Sequence, residues 1–264
     1  MLFLRILSYT EQSLNPKIKE SPGTLMKKRK VCVLLILIVA FVLAVGWKRT
    51  DPEVRCTSAR AIAENIAGQG MIRLVEQSVE HPKAALTFDD GPDARYTSVL
   101  LDGLRARNIK VSFFLLGEKV EQNPDLVRRM QEEGHLVGNH TYHHVQLDKL
   151  SDAKAREEIL KTNNLIYETT GRYPQYMRPP FGAWKKNLEL RVEMMPVFWT
   201  IDTLDWKVQN TEQIIKTVEE KVKDGSIILM HDEYKTTVEA ALRLADSLKE
   251  KGYELVTVDE LIMP

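Results

Sequence analysis

Cysteine is scarce in this 264-residue chain, which holds two, Cys32 and Cys56. They lie near either end of a single apolar run, so they do not form the framework of a disulfide-stapled fold. Neither follows the small-residue pattern of a lipoprotein cleavage site, and no thiol is available beyond Cys56 for nucleophilic or metal chemistry. Net charge is also lacking, since 37 Lys and Arg balance 37 Asp and Glu. The balance hides an asymmetry: residues 1–50 carry nine basic and two acidic side chains, leaving a net −7 on the rest. A weakly acidic body excludes the basic footprint of a nucleic-acid-binding protein. There is no internal repeat and no low-complexity segment. Hydrophobic residues make up 44% of the chain, enough for one sizeable domain with appendages.

Long charge-free runs are rare as well, which makes the one exception informative. Lys27-Lys28-Arg29-Lys30 leads into Val31–Trp47, seventeen residues without a charge. Such a helix spans about 25 Å against a hydrocarbon core of about 30 Å. The basic cluster predicts a cytoplasmic N-terminus and a body outside the membrane. A cleaved signal peptide is the competing reading, with Ala44-Val45-Gly46 as a small-x-small site and a secreted product. The length of the run favours an uncleaved anchor. Met26-Lys27-Lys28-Arg29-Lys30 is itself a natural start for such a leader, so translation is expected to begin at Met26. The expected organisation is a basic leader over 1–30, a transmembrane anchor over 31–47, an extracytoplasmic stalk over 48–81 and a catalytic domain over 82–264.

From residue 82 strands alternate with amphipathic helices. Strands are predicted at Ala84–Phe88, Val111–Leu116, Leu136–Gly138, within Met194–Ile201, at Ser226–Met230 and at Tyr253–Val258. Helices are predicted from Pro124 to Glu133, from the capping Ser151 to about Thr170 before Gly171, from Thr211 as cap to Lys223, and from Thr236 to Lys251. This alternation implies βα units around a mostly parallel sheet or barrel, where functional groups gather at the C-terminal ends of strands.

Polar clusters follow these strands in order. Leu86-Thr87-Phe88 ends in Asp89-Asp90-Gly91-Pro92, two adjacent carboxylates that need a positive partner. His140-Thr141-Tyr142-His143-His144 follows the Leu136 strand. On a helical turn the i, i+4 pair His140 and His144 shares one face and, with a carboxylate, makes a two-His, one-carboxylate metal site. His143 could replace either. Arg178-Pro179-Pro180-Phe181 holds a guanidinium on a stiffened, extended backbone. Trp199 to Trp206 places two acids and two indoles at another strand end, with Trp199 and Asp202 open to a structural reading. Leu229-Met230-His231 ends the next strand with an imidazole suited to general acid work.

Together T-F-D-D-G-P, H-T-x-x-H, R-P-P-F, D-x-x-D-W and L-M-H resemble the polysaccharide deacetylase family, the NodB homology domain of carbohydrate esterase family 4, over about residues 82–262. The resemblance implies a distorted (β/α) barrel that removes acetyl groups from N-acetylated sugars. It implies Asp90, His140 and His144 as ligands of one divalent metal ion, zinc foremost, with cobalt, nickel and manganese also suited. Asp89 would be the general base paired with Arg178, and His231 the general acid tuned by Asp205. The Phe181 backbone N–H would hold the oxyanion, while Phe181, Pro180 and Trp206 would line the sugar groove. The expected substrate is N-acetylglucosamine of peptidoglycan, with chitooligosaccharide, an exopolysaccharide or O-acetyl esters as alternatives. A non-catalytic glycan-binding protein of the envelope is the alternative of another class, and the intact acidic and histidine set argues against it. The segment between Gly182 and the Trp199 strand departs from the family pattern in its short length and in Pro196.

Overall fold

In a computed structural model of the chain, residues 81–184 and 194–262 are described. They belong to the second of two units into which the chain divides, residues 80–264. The expected leader, anchor and stalk lie outside the described residues. Among the described residues no helix is long and apolar enough to cross a membrane.

The strands are β1 (Lys83–Asp89), β2 (Ser112–Leu115), β3 (Leu136–Asn139), β4 (Tyr176–Met177), β5 (Met195–Pro196), β6 (Ile201–Asp202), β7 (Ser226–His231) and β8 (Glu254–Leu255). The helices are α1 (Thr97–Ala106), α2 (Gly117–Gln122), α3 (Pro124–Glu132), α4 (Asp152–Thr170), α5 (Asp205–Val208), α6 (Thr211–Lys221), α7 (Lys235–Glu250) and α8 (Val258–Ile262). Every pairing is parallel, in the order β5-β4-β3-β2-β1-β7-β6, with β8 against the start of β1. No β5–β6 pairing closes the sheet among the described residues, so it forms an open, distorted (β/α) barrel.

The central strand β1 is buried on both faces, which is why its sequence is a continuous apolar run rather than an alternation. Leu86 and Phe88 join the main core with Phe113 and Leu115 of β2 and the apolar faces of α1, α3 and α7. The intervening residues turn inward: Ala85 packs with Phe114, Tyr176, Val197 and Val258. That two-residue period sends Thr87 and Asp89 to the barrel interior. Because all strands run one way, their C-terminal ends share one rim, and the register sets Asp89 opposite His231.

Several predicted elements differ in detail. The Met194–Ile201 strand is two short strands, because β5 pairs with β4 and β6 pairs with β7. The last strand stops at Leu255, and Val258 opens α8 instead. The cap of α6 is Asn210, whose Oδ1 accepts from the Gln213 N–H at 3.0 Å, and Thr211 is the first helical residue. Ser151 caps α4 as expected, accepting from the Lys154 N–H, and Gly171 ends it at φ 72°. Helices α1 and α2 were not anticipated.

Gly138 lies at a close approach of β3 to its neighbours in the interior. A Cβ there would lie 2.7 Å from Phe114 Cδ1 and 3.0 Å from the Tyr176 carbonyl oxygen. Gly138→Ala is expected to cost about 1–3 kcal/mol through overpacking, read as a lower urea midpoint.

Candidate active site

Arg178 follows β4 and is fully buried. Its Nη1 donates to Asp89 Oδ1 at 2.8 Å and to Thr87 Oγ1 at 2.7 Å, and its Nε donates to the Val197 carbonyl at 3.3 Å. The guanidinium lies over the Phe114 ring at 4.3 Å. Burial pushes the Arg178 pKa down, and the Asp89 carboxylate beside it opposes that shift.

The backbone of Arg178 serves a second residue. Its carbonyl oxygen sits 2.6 Å from His140 Nδ1. A carbonyl can only accept, so Nδ1 carries the hydrogen and Nε2 turns a lone pair toward the site. His140 Nε2 lies 3.3 Å from Asp90 Oδ1, and His144 Nε2 lies 3.5 Å from the same oxygen. Asp90 Oδ1 is buried without a hydrogen-bond partner. Acceptors converging on one buried oxygen repel unless a cation sits among them. The three donor atoms fall within 4.8 Å of one another, and imidazole plus carboxylate suits a divalent ion. The residues therefore fit a metal. Burial acts to raise the Asp90 pKa, but positive charge placed at the imidazoles, His140 first and then His144 and His231, outweighs it and holds the group below the usual carboxylate range.

The expected helical turn at His140–His144 is absent. The segment is a loop, and Thr141 and His144 adopt positive φ, 68° and 55°. The imidazoles meet through this loop geometry, with ring centroids 5.1 Å apart. His143 replaces neither of them: its Nδ1 pairs with Glu158 at 2.7 Å.

On the other side of β1, Asp205 opens the short helix α5 and is fully buried. Asp205 Oδ1 lies 2.8 Å from His231 Nδ1, and its Oδ2 accepts from the His231 backbone N–H and from Thr237 Oγ1. Burial alone would lower the His231 pKa, but Asp205 first, then Asp89 and Asp90, pull it up to about 9. Nε2, the nitrogen not held by Asp205, faces Asp90 Oδ2 at 3.9 Å.

Phe181 is 68% exposed at φ 59°, its ring 4.7 Å from that of His144. Trp206, next to Asp205 on α5, is 50% exposed. Pro180 is buried within the turn, so it stiffens the backbone behind Phe181 rather than offering a surface. Asp202 accepts from the Leu204 N–H and shapes the turn. Sequence reasoning missed Thr87, Asn139, Glu158 and Thr237. Thr87 was legible, two residues before Asp89 on the same strand face; Glu158 sits mid-helix in α4 and Thr237 in the first turn of α7, neither with a local signal.

The chain has recognisable relatives. The model of the polysaccharide deacetylase family matches residues 76–198. The peptidoglycan-N-acetylglucosamine deacetylase PgdA of Listeria monocytogenes is 43% identical over 187 residues, covering 71% of this chain and 40% of that protein. The chain thus spans about two fifths of that relative's length. A peptidoglycan-N-acetylglucosamine deacetylase of Bacillus cereus is 39% identical, over 68% of each chain. The solved structure of peptidoglycan deacetylase PdaC from Bacillus subtilis, a protein named peptidoglycan-N-acetylmuramic acid deacetylase, is 37% identical, with a TM-score of 0.67 and coverage of 69% of this chain and 91% of that one.

The geometry separates the two adjacent carboxylates. Asp90→Ala is expected to weaken zinc binding at least about 100-fold by competition titration, while Asp89→Asn leaves it near the wild-type value. The reverse ranking would exchange their roles.

Proposed function

Because the chain belongs to the polysaccharide deacetylase family, we propose that it is a metal-dependent hydrolase removing N-acetyl groups from peptidoglycan, with N-acetylglucosamine as the target sugar. The observation that carries this reading is the pairing of Asp89 with Arg178 and of His231 with Asp205, on either side of the Asp90, His140 and His144 cluster. A non-catalytic binding protein would not need both pairs.

Asp90, His140 and His144 would hold the ion, with zinc the best fit and cobalt, nickel or manganese also compatible. When bound, the ion supplies Lewis acidity, lowering the pKa of water toward about 7 and drawing charge from the acetyl carbonyl. Asp89 uses Oδ2, the oxygen not engaged by Arg178 Nη1, to take a proton from water as the water oxygen bonds to the carbonyl carbon. The Phe181 N–H donates to the carbonyl oxygen as it gains charge. His231, charged below about pH 9 and held through Nδ1 by Asp205, gives its Nε2 proton to the amide nitrogen as the C–N bond breaks. Acetate and a free amine result. The exposed faces of Phe181 and Trp206 suit the apolar C–H faces of sugar rings.

The proposed location is outside the cytoplasmic membrane, anchored by Val31–Trp47 behind its basic cluster. There the nearest acetylated polymer is peptidoglycan. N-acetylmuramic acid is the second reading, supported by the likeness to PdaC.

The purified chain is expected to release acetate from N-acetylglucosamine oligomers, to stop on chelation and to recover with zinc. Turnover that survives chelation would sink the metal mechanism. Release from N-acetylmuramic acid residues alone would select the second reading. The imidazolium of His231 is the active form, so the rate falls as pH rises through its pKa. Asp205→Asn removes the largest upward pull, so the alkaline limb of kcat should move to lower pH and the plateau should drop by about 10²-fold.

A further inference from the structure

The loop carrying His140 and His144 holds Thr141, a β-branched residue, at φ 68°. That conformation persists only where its surroundings over-determine it. Asn139 supplies one restraint. Its Oδ1 accepts from the Thr141 N–H at 2.7 Å, and its Nδ2 donates to Asn163 Oδ1 and the Ile159 carbonyl on α4.

The same helix supplies a second restraint through Glu158. Its Oε2 accepts from the Tyr142 N–H at 3.0 Å and from the His143 N–H at 2.9 Å. Its Oε1 lies 2.7 Å from His143 Nδ1. Both oxygens therefore grip the backbone and side chain between the two candidate ligands. The carboxylate is mostly shielded from solvent, and it touches neither Asp90 nor the imidazoles of His140 and His144 among the hydrogen bonds and ion pairs of the described residues. Tyr142 is fixed in turn, by donation from its hydroxyl to Glu121 Oε2 at 2.5 Å and by Lys161 Nζ 3.4 Å from its ring centroid.

We propose that Glu158 is a positioning residue that preforms the metal site, by locking the Tyr142-His143 backbone so that His140 and His144 face Asp90 and by holding His143 on the opposite side. The inference rests on the metal reading given above. Reach, not charge, is the working property: one oxygen takes two N–H groups, and the second atom meets a ring nitrogen.

Two conservative variants of the full chain separate reach from charge. In Glu158→Gln the amide oxygen can accept both N–H groups and the amide nitrogen can donate to His143 Nδ1, so the clamp survives without charge. Glu158→Asp keeps the charge on a side chain one methylene shorter and loses the grip. Zinc affinity of the metal-free protein, measured by competition with a chromophoric chelator, should stay near wild type in Glu158→Gln and fall about 10–100-fold in Glu158→Asp. With cobalt as the probe, Glu158→Asp should also alter the visible absorption bands, whereas Glu158→Gln should not. Retained affinity in Glu158→Asp, or a matching loss in Glu158→Gln, would overturn the clamp. Failure of the wild-type chain itself to bind zinc or cobalt would overturn the metal reading beneath it, independently of either variant.

Discussion

The site depends on one buried cation. Arg178 has no access to water, so its charge is tolerable only because Asp89 meets it at 2.8 Å, Thr87 accepts from the same nitrogen and the Phe114 ring lies over it. Removing one member of such a pair typically costs about 3–5 kcal/mol, because the other charge is left stranded. The peptide at the same position has two further tasks. Its N–H donates to the Asn139 carbonyl, extending the β3–β4 pairing, and its carbonyl sets the His140 tautomer. One residue thus orients a carboxylate on β1 and an imidazole after β3.

Two adjacent aspartates acquire different environments from this arrangement. Asp89 is the last residue of β1 and obeys the strand's alternation, which points it inward to the arginine. Asp90 leaves the strand at φ 67° and turns toward the histidines. A single backbone reversal separates them. His231 enters from the neighbouring strand by register alone, since it pairs with Asp89 across the β1–β7 ladder. The parallel sheet brings together residues that are 142 positions apart in sequence.

Much of this was legible in the sequence, and the reasons differ by element. The strands β1, β2 and β7 announce themselves because burial on both faces favours apolar runs. Helix α4 carries its own start and stop in Ser151 and Gly171. The two-residue strand β4 was not anticipated, and β5, β6 and β8 were read only as parts of longer runs, since the bounds of such short strands depend on their neighbours. The chemistry-bearing side chains were identifiable by cluster and order, but their grouping at His140–His144 was expected from helical spacing and is achieved by left-handed loop residues instead. The supporting groups were hidden for a related reason. Thr237 and Glu158 reach the site from helices packed behind it, and nothing local distinguishes them from any other polar helical residue.

Among the described residues, seven other than glycine have positive φ, and six of them, Asp90, Thr141, His144, Phe181, Leu204 and Gln209, sit in the loops that carry or flank the site. Each such residue costs roughly 1–2 kcal/mol relative to an ordinary conformation, a noticeable share of the 5–15 kcal/mol by which a typical domain is stable. The rim is therefore the place where thermal robustness and chemical competence pull against each other. Glycine at Thr141, Leu204 or Gln209 would relax the chain and raise its melting temperature while blurring the constellation, and at Asp90 or His144 it would remove a candidate ligand outright. A search for hardier variants that scored only resistance to heat would drift toward a well-folded protein with an imprecise site. Asn108, the seventh residue, follows α1 away from these loops and could be relaxed without that penalty.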